Sequence, residues 1–197
     1  MIKIKMCGLR RETDIKYANK LIPDYIGYVF AEKSRRYITP EKAGKLTEIL
    51  DKKIIPVGVF VNSPIRNVIS LIESGTIKIA QLHGNENNKY ISALKSENIT
   101  VIKAFIIKSE NDIELANNSS ADHVLLDAGM GNGKIFNYSL LKNIRRPYFL
   151  AGGLTPENIL NAVELNPYAV DVSSGIETDG FKDFTKMKKF TDLVRKD

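Results

Sequence analysis

A single cysteine, Cys7, leaves no partner for an internal disulfide in this chain of 197 residues. That excludes a disulfide-stapled scaffold, and a lone thiol suits a reducing compartment. Two histidines and one cysteine supply little material for a transition-metal site, so no metal is expected. No apolar run approaches the ~20 residues of a membrane-spanning helix. The first residues, MIKIKMCGLRR, are too charged, and too short in their apolar part, for a secretory leader. A cytoplasmic protein without a membrane partner is the expectation. Long blocks of one charge are also missing. The net charge of +6 is spread over scattered lysines, which reads as solvated helix faces. The densest basic cluster is Lys182, Lys186, Lys188 and Lys189, in an expected terminal helix. No aromatics interleave with it to stack bases, so no nucleic-acid partner is expected.

What is present is an ordinary globular composition, 43% hydrophobic and 26% charged, with no linker, low-complexity segment or second domain. The reading is one domain over 1–197. Eight short apolar runs recur along it: 2–7, 25–30, 54–61, 77–82, 100–106, 122–127, 148–152 and 169–174. Most are rich in β-branched or aromatic residues, as strands buried on both faces should be. Amphipathic segments lie between them. Three of these open with a hydroxyl residue and proline, Thr39-Pro40, Ser63-Pro64 and Thr155-Pro156, a pairing suited to helix N-termini. The repeated order of strand, loop and helix gives an α/β protein, and eight units favour closure into a (βα)₈ TIM barrel with an eight-stranded parallel sheet. A dinucleotide fold would want G-x-G-x-x-G after the first strand; only one glycine follows it, in MCGLRRE.

In such a barrel the chemistry sits at the C-terminal ends of the strands. AGGL after strand 7 and DVSSGIE after strand 8 put Gly152, Gly153, Ser173, Ser174 and Gly175 at two adjacent ends. Glycine lets backbone N–H groups approach an anion, so these turns point to a bound phosphate. A third glycine-bearing loop, 129–136, either folds over the ligand or is a surface loop. Cys7 ends strand 1, and Lys5 shares its strand face, where an ammonium would favour thiolate. The thiol is either a small core residue or a catalyst. Asp127 ends strand 6 after apolar DHVLL, either pairing with a lysine or capping a loop, or acting as a general acid. Arg36, beside Arg35, is either solvated or a fork for a carboxylate. His83 is a polar pocket group or a turn residue.

Taken together, the strand ends resemble the phosphoribosylanthranilate isomerase family. The matching stretches are KMCGLR (5–10), GYVFAEKSRRYITPEKA (27–43), VGVFVN (57–62), QLHGNE (81–86), LLDA (125–128), GNGKIFNYSLL (131–141), LAGGLTPENI (150–159) and DVSSGIETDGFKD (171–183). They follow family order and spacing over nearly the whole chain. The resemblance implies an Amadori rearrangement in tryptophan biosynthesis, acting on a small phosphosugar without metal or cofactor. It implies Asp127 as the acid that opens the sugar ring and Cys7 as the base at C2′. It also implies Arg36 on the anthranilate carboxylate, with the two glycine turns on the phosphate; the sequence does not decide between a monomer and a homodimer. The chain departs from the family in a shorter loop after Asp127, with Met130 in place of a glycine and Phe136-Asn137-Tyr138 in place of F-D-W. Other phosphate-gripping barrel enzymes would show metal-binding residues or lysine and glutamate pairs at the strand ends. A non-catalytic phosphosugar binder could lose Cys7 or Asp127, and both are present.

Overall fold

Eight parallel strands close on themselves in sequence order in the computed structural model, which describes residues 1–127 and 138–195. They are β1 (Lys3–Cys7), β2 (Tyr25–Val29), β3 (Ile55–Phe60), β4 (Ile79–Leu82), β5 (Thr100–Ile106), β6 (His123–Asp127), β7 (Tyr148–Ala151) and β8 (Ala169–Val172). β8 pairs with β1, Lys5 opposite Asp171, and this seam completes the ring. The eight apolar runs are these strands, trimmed by a residue or two at some ends.

Side-chain alternation divides the apolar residues into two cores. One set of alternate positions packs outward, among them Ile4, Met6, Ile26, Tyr28, Ala80, Leu82, Val124, Leu126, Leu150 and Val170, in one cluster with the helices' apolar faces. The other set fills the barrel: Tyr25, Val57, Ile79, Ile102, Leu125, Phe149 and Ala169. Burial on both faces explains why the strands read as continuous apolar runs rather than as clean alternation.

Among the described residues there are seven α-helices: α1 (Glu12–Leu21), α2 (Pro40–Glu48), α3 (Ile65–Glu73), α4 (Asn88–Ser96), α5 (Glu110–Asn117), α6 (Ile159–Val163) and α7 (Phe184–Val194). None is long and apolar enough to cross a membrane. The described part of the β6–β7 connection carries a 3₁₀ segment, Tyr138–Asn143. Of the three hydroxyl–proline pairs, one caps as expected: Thr39 accepts from the N–H of Lys42, with Pro40 at the first helical position. At α3 the chain enters the helix one residue later than expected, so Pro64 is itself the N-cap and Ser63 makes no cap. Thr155 receives the N–H groups of Asn158 and Ile159 on its carbonyl, opening a turn that becomes α6 only at Ile159.

The basic cluster near the C-terminus also divides. Lys186, Lys188 and Lys189 lie on α7. Lys182 instead belongs to a small hairpin after β8, β9 (Glu177–Thr178) with β10 (Phe181–Lys182), and it is buried. A buried ammonium needs a partner, and Lys182 Nζ donates to Glu177 Oε1 at 2.8 Å and to the Ser173 carbonyl at 2.9 Å.

Candidate active site

The inward-facing positions at the C-terminal strand ends surround a cavity of about 570 Å³, a volume suited to a small organic ligand. Cys7, Arg36, His83, Asp127, Gly152, Gly153, Ser173 and Ser174 all line it. Gly175, grouped with them on sequence grounds, does not. A side chain there would collide with the Leu154 carbonyl. Its bareness lets the loop after β8 lie against the loop after β7. The loop 129–136, with Met130 and Phe136, lies outside the described residues, as does Asn137 after it.

Cys7 is the last residue of β1, 8% exposed, and its thiol abuts Gly27 of β2, where a Cβ would come within 2.7 Å of Sγ. Lys5 lies on the same face, one layer deeper and fully buried. Its ammonium is already paired, Nζ donating to Asp171 Oδ2 at 2.8 Å. Burial pushes the Cys7 thiol above its ordinary range; Lys5 and Lys182 oppose this, and the Asp171 carboxylate adds to it. The net direction is toward thiol, the reverse of the sequence expectation, because burial outweighs the ammonium groups, and the carboxylate paired with Lys5 adds to it.

Across the cavity, Asp127 ends β6 and His83 follows β4, with His83 Nε2 3.5 Å from Asp127 Oδ2. His83 sits in a turn held from below. Lys103 of β5 donates to the Gly84 carbonyl at 2.6 Å and to Glu86 Oε2 at 3.0 Å. Glu86 in turn accepts from the N–H groups of Asn62 and Gly84. Burial disfavours charge on Glu86, but these backbone and lysine donors outweigh it and lower its pKa. This buried pair ties the loops after β3 and β4 to strand β5 and fixes where the imidazole stands.

Arg36 reaches the rim from the loop after β2. Glu177 grips it in a fork, Nε to Oε1 at 2.7 Å and Nη2 to Oε2 at 2.8 Å. Arg35, largely exposed, touches the same carboxylate at 3.4 Å. Burial resists ionisation of Glu177, yet the donors from Arg36 and Lys182 prevail and hold its pKa at about 2. A planar fork fixed along one edge presents its remaining edge rigidly, the arrangement suited to a carboxylate. Close approach also requires Gly8, with φ +81°, where any side chain would meet the Arg36 stem.

Gly152 (φ +97°) and Gly153 (φ +63°) are both left-handed, so bare backbone turns past the end of β7 on the cavity wall. Ser173 and Ser174 follow β8 beside them. The Ser173 hydroxyl donates to the Cys7 carbonyl at 3.0 Å, so its proton serves the β1–β8 seam while Ser174 opens a 3₁₀ turn.

Three polar residues of this region had no role assigned from sequence: Gln81, Asp171 and Glu177. For the first two a signal existed. A glutamine and an aspartate at inward positions of fully buried strands are costly unless used. Glu177 carried no such signal, since its partners lie far away in sequence or in a hairpin too short to recognise.

The family model for N-(5′-phosphoribosyl)anthranilate isomerase matches residues 4–193 of the chain. The protein of that name from Clostridium acetobutylicum is 47% identical over 206 residues, covering 100% of this chain and 99% of the relative. Among solved structures, phosphoribosyl anthranilate isomerase from Thermotoga maritima superposes with a TM-score of 0.91 at 35% identity over 99% of both chains. A phosphoribosyl anthranilate isomerase in complex with reduced 1-(o-carboxyphenylamino)-1-deoxyribulose 5-phosphate gives 0.90, also at 35% and over 99% of both. With full-length coverage at this identity, the chain belongs to the N-(5′-phosphoribosyl)anthranilate isomerase family.

Proposed function

We propose that this protein catalyses the Amadori rearrangement of N-(5′-phosphoribosyl)anthranilate to 1-(o-carboxyphenylamino)-1-deoxyribulose 5-phosphate, the isomerisation step of tryptophan biosynthesis, by general acid–base catalysis in the cytoplasm. The observation that carries the reading is the arrangement around one cavity. Cys7 and Asp127 lie on separate strands, between a guanidinium at one rim and two glycine-bearing turns at another. A substrate with a carboxylate at one end and a phosphate at the other fits that distribution.

Asp127 delivers a proton to the furanose ring oxygen. The C1′–O bond breaks and the nitrogen lone pair forms a protonated Schiff base. Cys7 then removes the C2′ proton, and the released electron pair generates an enolamine. Protonation at C1′ with loss of the hydroxyl proton gives the ketose. Two groups with different surroundings suit an acid and a base acting in different steps. Arg36 holds the anthranilate carboxylate through the edge not occupied by Glu177. Gly152, Gly153 and Ser174 receive the phosphate, the loops after strands 7 and 8 being the recurrent phosphate site of this fold. His83 stands beside Asp127 and orients its carboxyl.

The test is to supply freshly prepared phosphoribosylanthranilate to the folded protein and follow the loss of its anthranilate-type fluorescence. Turnover is expected; unchanged fluorescence with well-folded protein overturns the assignment.

A further inference from the structure

Two buried oxygens in the cavity wall have no hydrogen-bond partner among the described residues: Gln81 Oε1 and Asp171 Oδ1. Gln81 is 1% exposed and Asp171 8% exposed, and both line the cavity. They stand on β4 and β8, four places apart in the ring of eight and therefore on opposite walls. Lys5 donates to Oδ2 of Asp171 and leaves Oδ1 without a partner among the described residues. Leaving a buried acceptor unsatisfied destabilises a fold, so two of them on residues that line one cavity point to donors that a ligand brings as the side chains adjust to it.

The neighbours identify the donors. Asp171 lies one inward position below Ser173 on β8 and opposite Lys5 on β1, two residues before Cys7. It is thus deeper than the phosphate turns and adjacent to the base. Between a ligand's phosphate at those turns and its carboxylate at Arg36 lies the sugar, whose donors are hydroxyls. We propose that Asp171 Oδ1 and Gln81 Oε1 accept hydrogen bonds from the secondary hydroxyls at C2′ and C3′ of the bound sugar, gripping it from opposite walls so that the C2′ hydrogen faces Cys7. This rests on the function proposed above. It adds a recognition element for the sugar itself, distinct from the anchors for its two anionic ends. Burial raises the Asp171 pKa, opposed by Lys5, and such an oxygen is a strong acceptor once water is excluded.

The test uses the whole protein, two probes and two variants. The probes are inorganic phosphate, which lacks the sugar, and reduced 1-(o-carboxyphenylamino)-1-deoxyribulose 5-phosphate, which carries it. Gln81→Met keeps length and removes the idle amide. It is expected to weaken binding of the reduced analogue by about three- to tenfold, to leave phosphate affinity unchanged, and to leave Tm equal or higher, because an unsatisfied polar atom is gone. The double variant Lys5→Met/Asp171→Leu replaces the buried pair as a unit, which folds tolerate better than loss of one partner. It is expected to weaken the analogue by roughly tenfold or more with phosphate binding retained. Unchanged analogue affinity in both variants overturns the proposal. So does a parallel fall for both probes, which marks a structural role. Turnover by the unaltered protein reads the isomerase assignment separately, so its failure is distinguishable from failure of the acceptor pair.

Discussion

The two ends of the barrel interior are built on opposite principles. At the N-terminal end, Phe149 is fully buried among Tyr25, His123 and Tyr168, with ring centroids 5.5, 5.8 and 5.5 Å away. The polar tips there are mutually satisfied: Tyr25 and Tyr168 share a hydrogen bond of 3.2 Å, and Lys3 lies over the Tyr168 ring at 5.0 Å. At the C-terminal end, fixed charges sit in buried or half-buried positions and two acceptor oxygens have no partner among the described residues. One end spends its side chains on packing, the other on a preorganised polar surface that is stable only because the rest of the fold over-determines it. The difference teaches where a substitution should cost stability and where it should cost activity.

The largest effect should come from Asp127→Asn. The turnover number should fall by roughly 10²–10⁴-fold, while the urea midpoint and phosphate affinity stay near the unaltered values. Near-normal turnover would remove the acid from Asp127. The mirror experiment is Phe149→Ala, which should cost about 3–5 kcal/mol of stability, read from urea unfolding, with the Michaelis constant of the folded fraction unchanged. A marked rise in that constant would break the separation between the two ends.

Glu177→Gln sharpens the comparison, because it loosens Arg36 without touching the cavity's apolar walls. Losing the charged partner should cost roughly 1–3 kcal/mol near neutral pH and raise the Michaelis constant more than it lowers turnover. The pH dependence has a definite sign. Glu177 is held at about 2 against an ordinary 4.5, so the unfolded chain binds its proton first on acidification. The stabilisation is complete above about 4.5 and is lost as pH falls toward 2. The stability gap between unaltered protein and variant should therefore close over that window; a gap independent of pH would refute the charge pairing. The smallest effect concerns Cys7. Titration by thiolate absorbance should give a midpoint above the ordinary 9.0, and a midpoint below it would mean that the nearby ammonium groups outweigh burial.

Much of the fold was legible because parallel strands buried on both faces leave short, dense apolar runs. The run at 100–106 is β5 to the residue, and closure followed from counting eight units. The place of the two glycine-bearing turns and of Cys7, Arg36, His83 and Asp127 around one cavity was legible for the same reason, since strand ends in a barrel converge. Less was legible where a partner is distant. Lys5 and Asp171 are 166 positions apart, so the sequence showed an ammonium near the thiol and not the carboxylate that neutralises it. Lys182 read as part of a solvated run because neighbouring lysines dominate a local pattern, whereas its burial depends on a hairpin folding back onto Ser173. Gly175 read as a ligand contact from its motif alone; the close packing of two loops that it permits is visible only once both loops are in place.

The amino-acid sequence by itself determined the alternation of strands and helices, the closure of the ring and the rim on which the chemistry lies, because these follow from local periodicity and composition. Tertiary structure alone decided how the charges are shared: which carboxylate takes Lys5, which one holds Arg36, and which oxygens at the cavity wall lack a partner among the described residues. Those choices depend on distances across the barrel and on the loss of solvent there. Electrostatic interactions strengthen as water is excluded, and no local pattern in the chain records that exclusion.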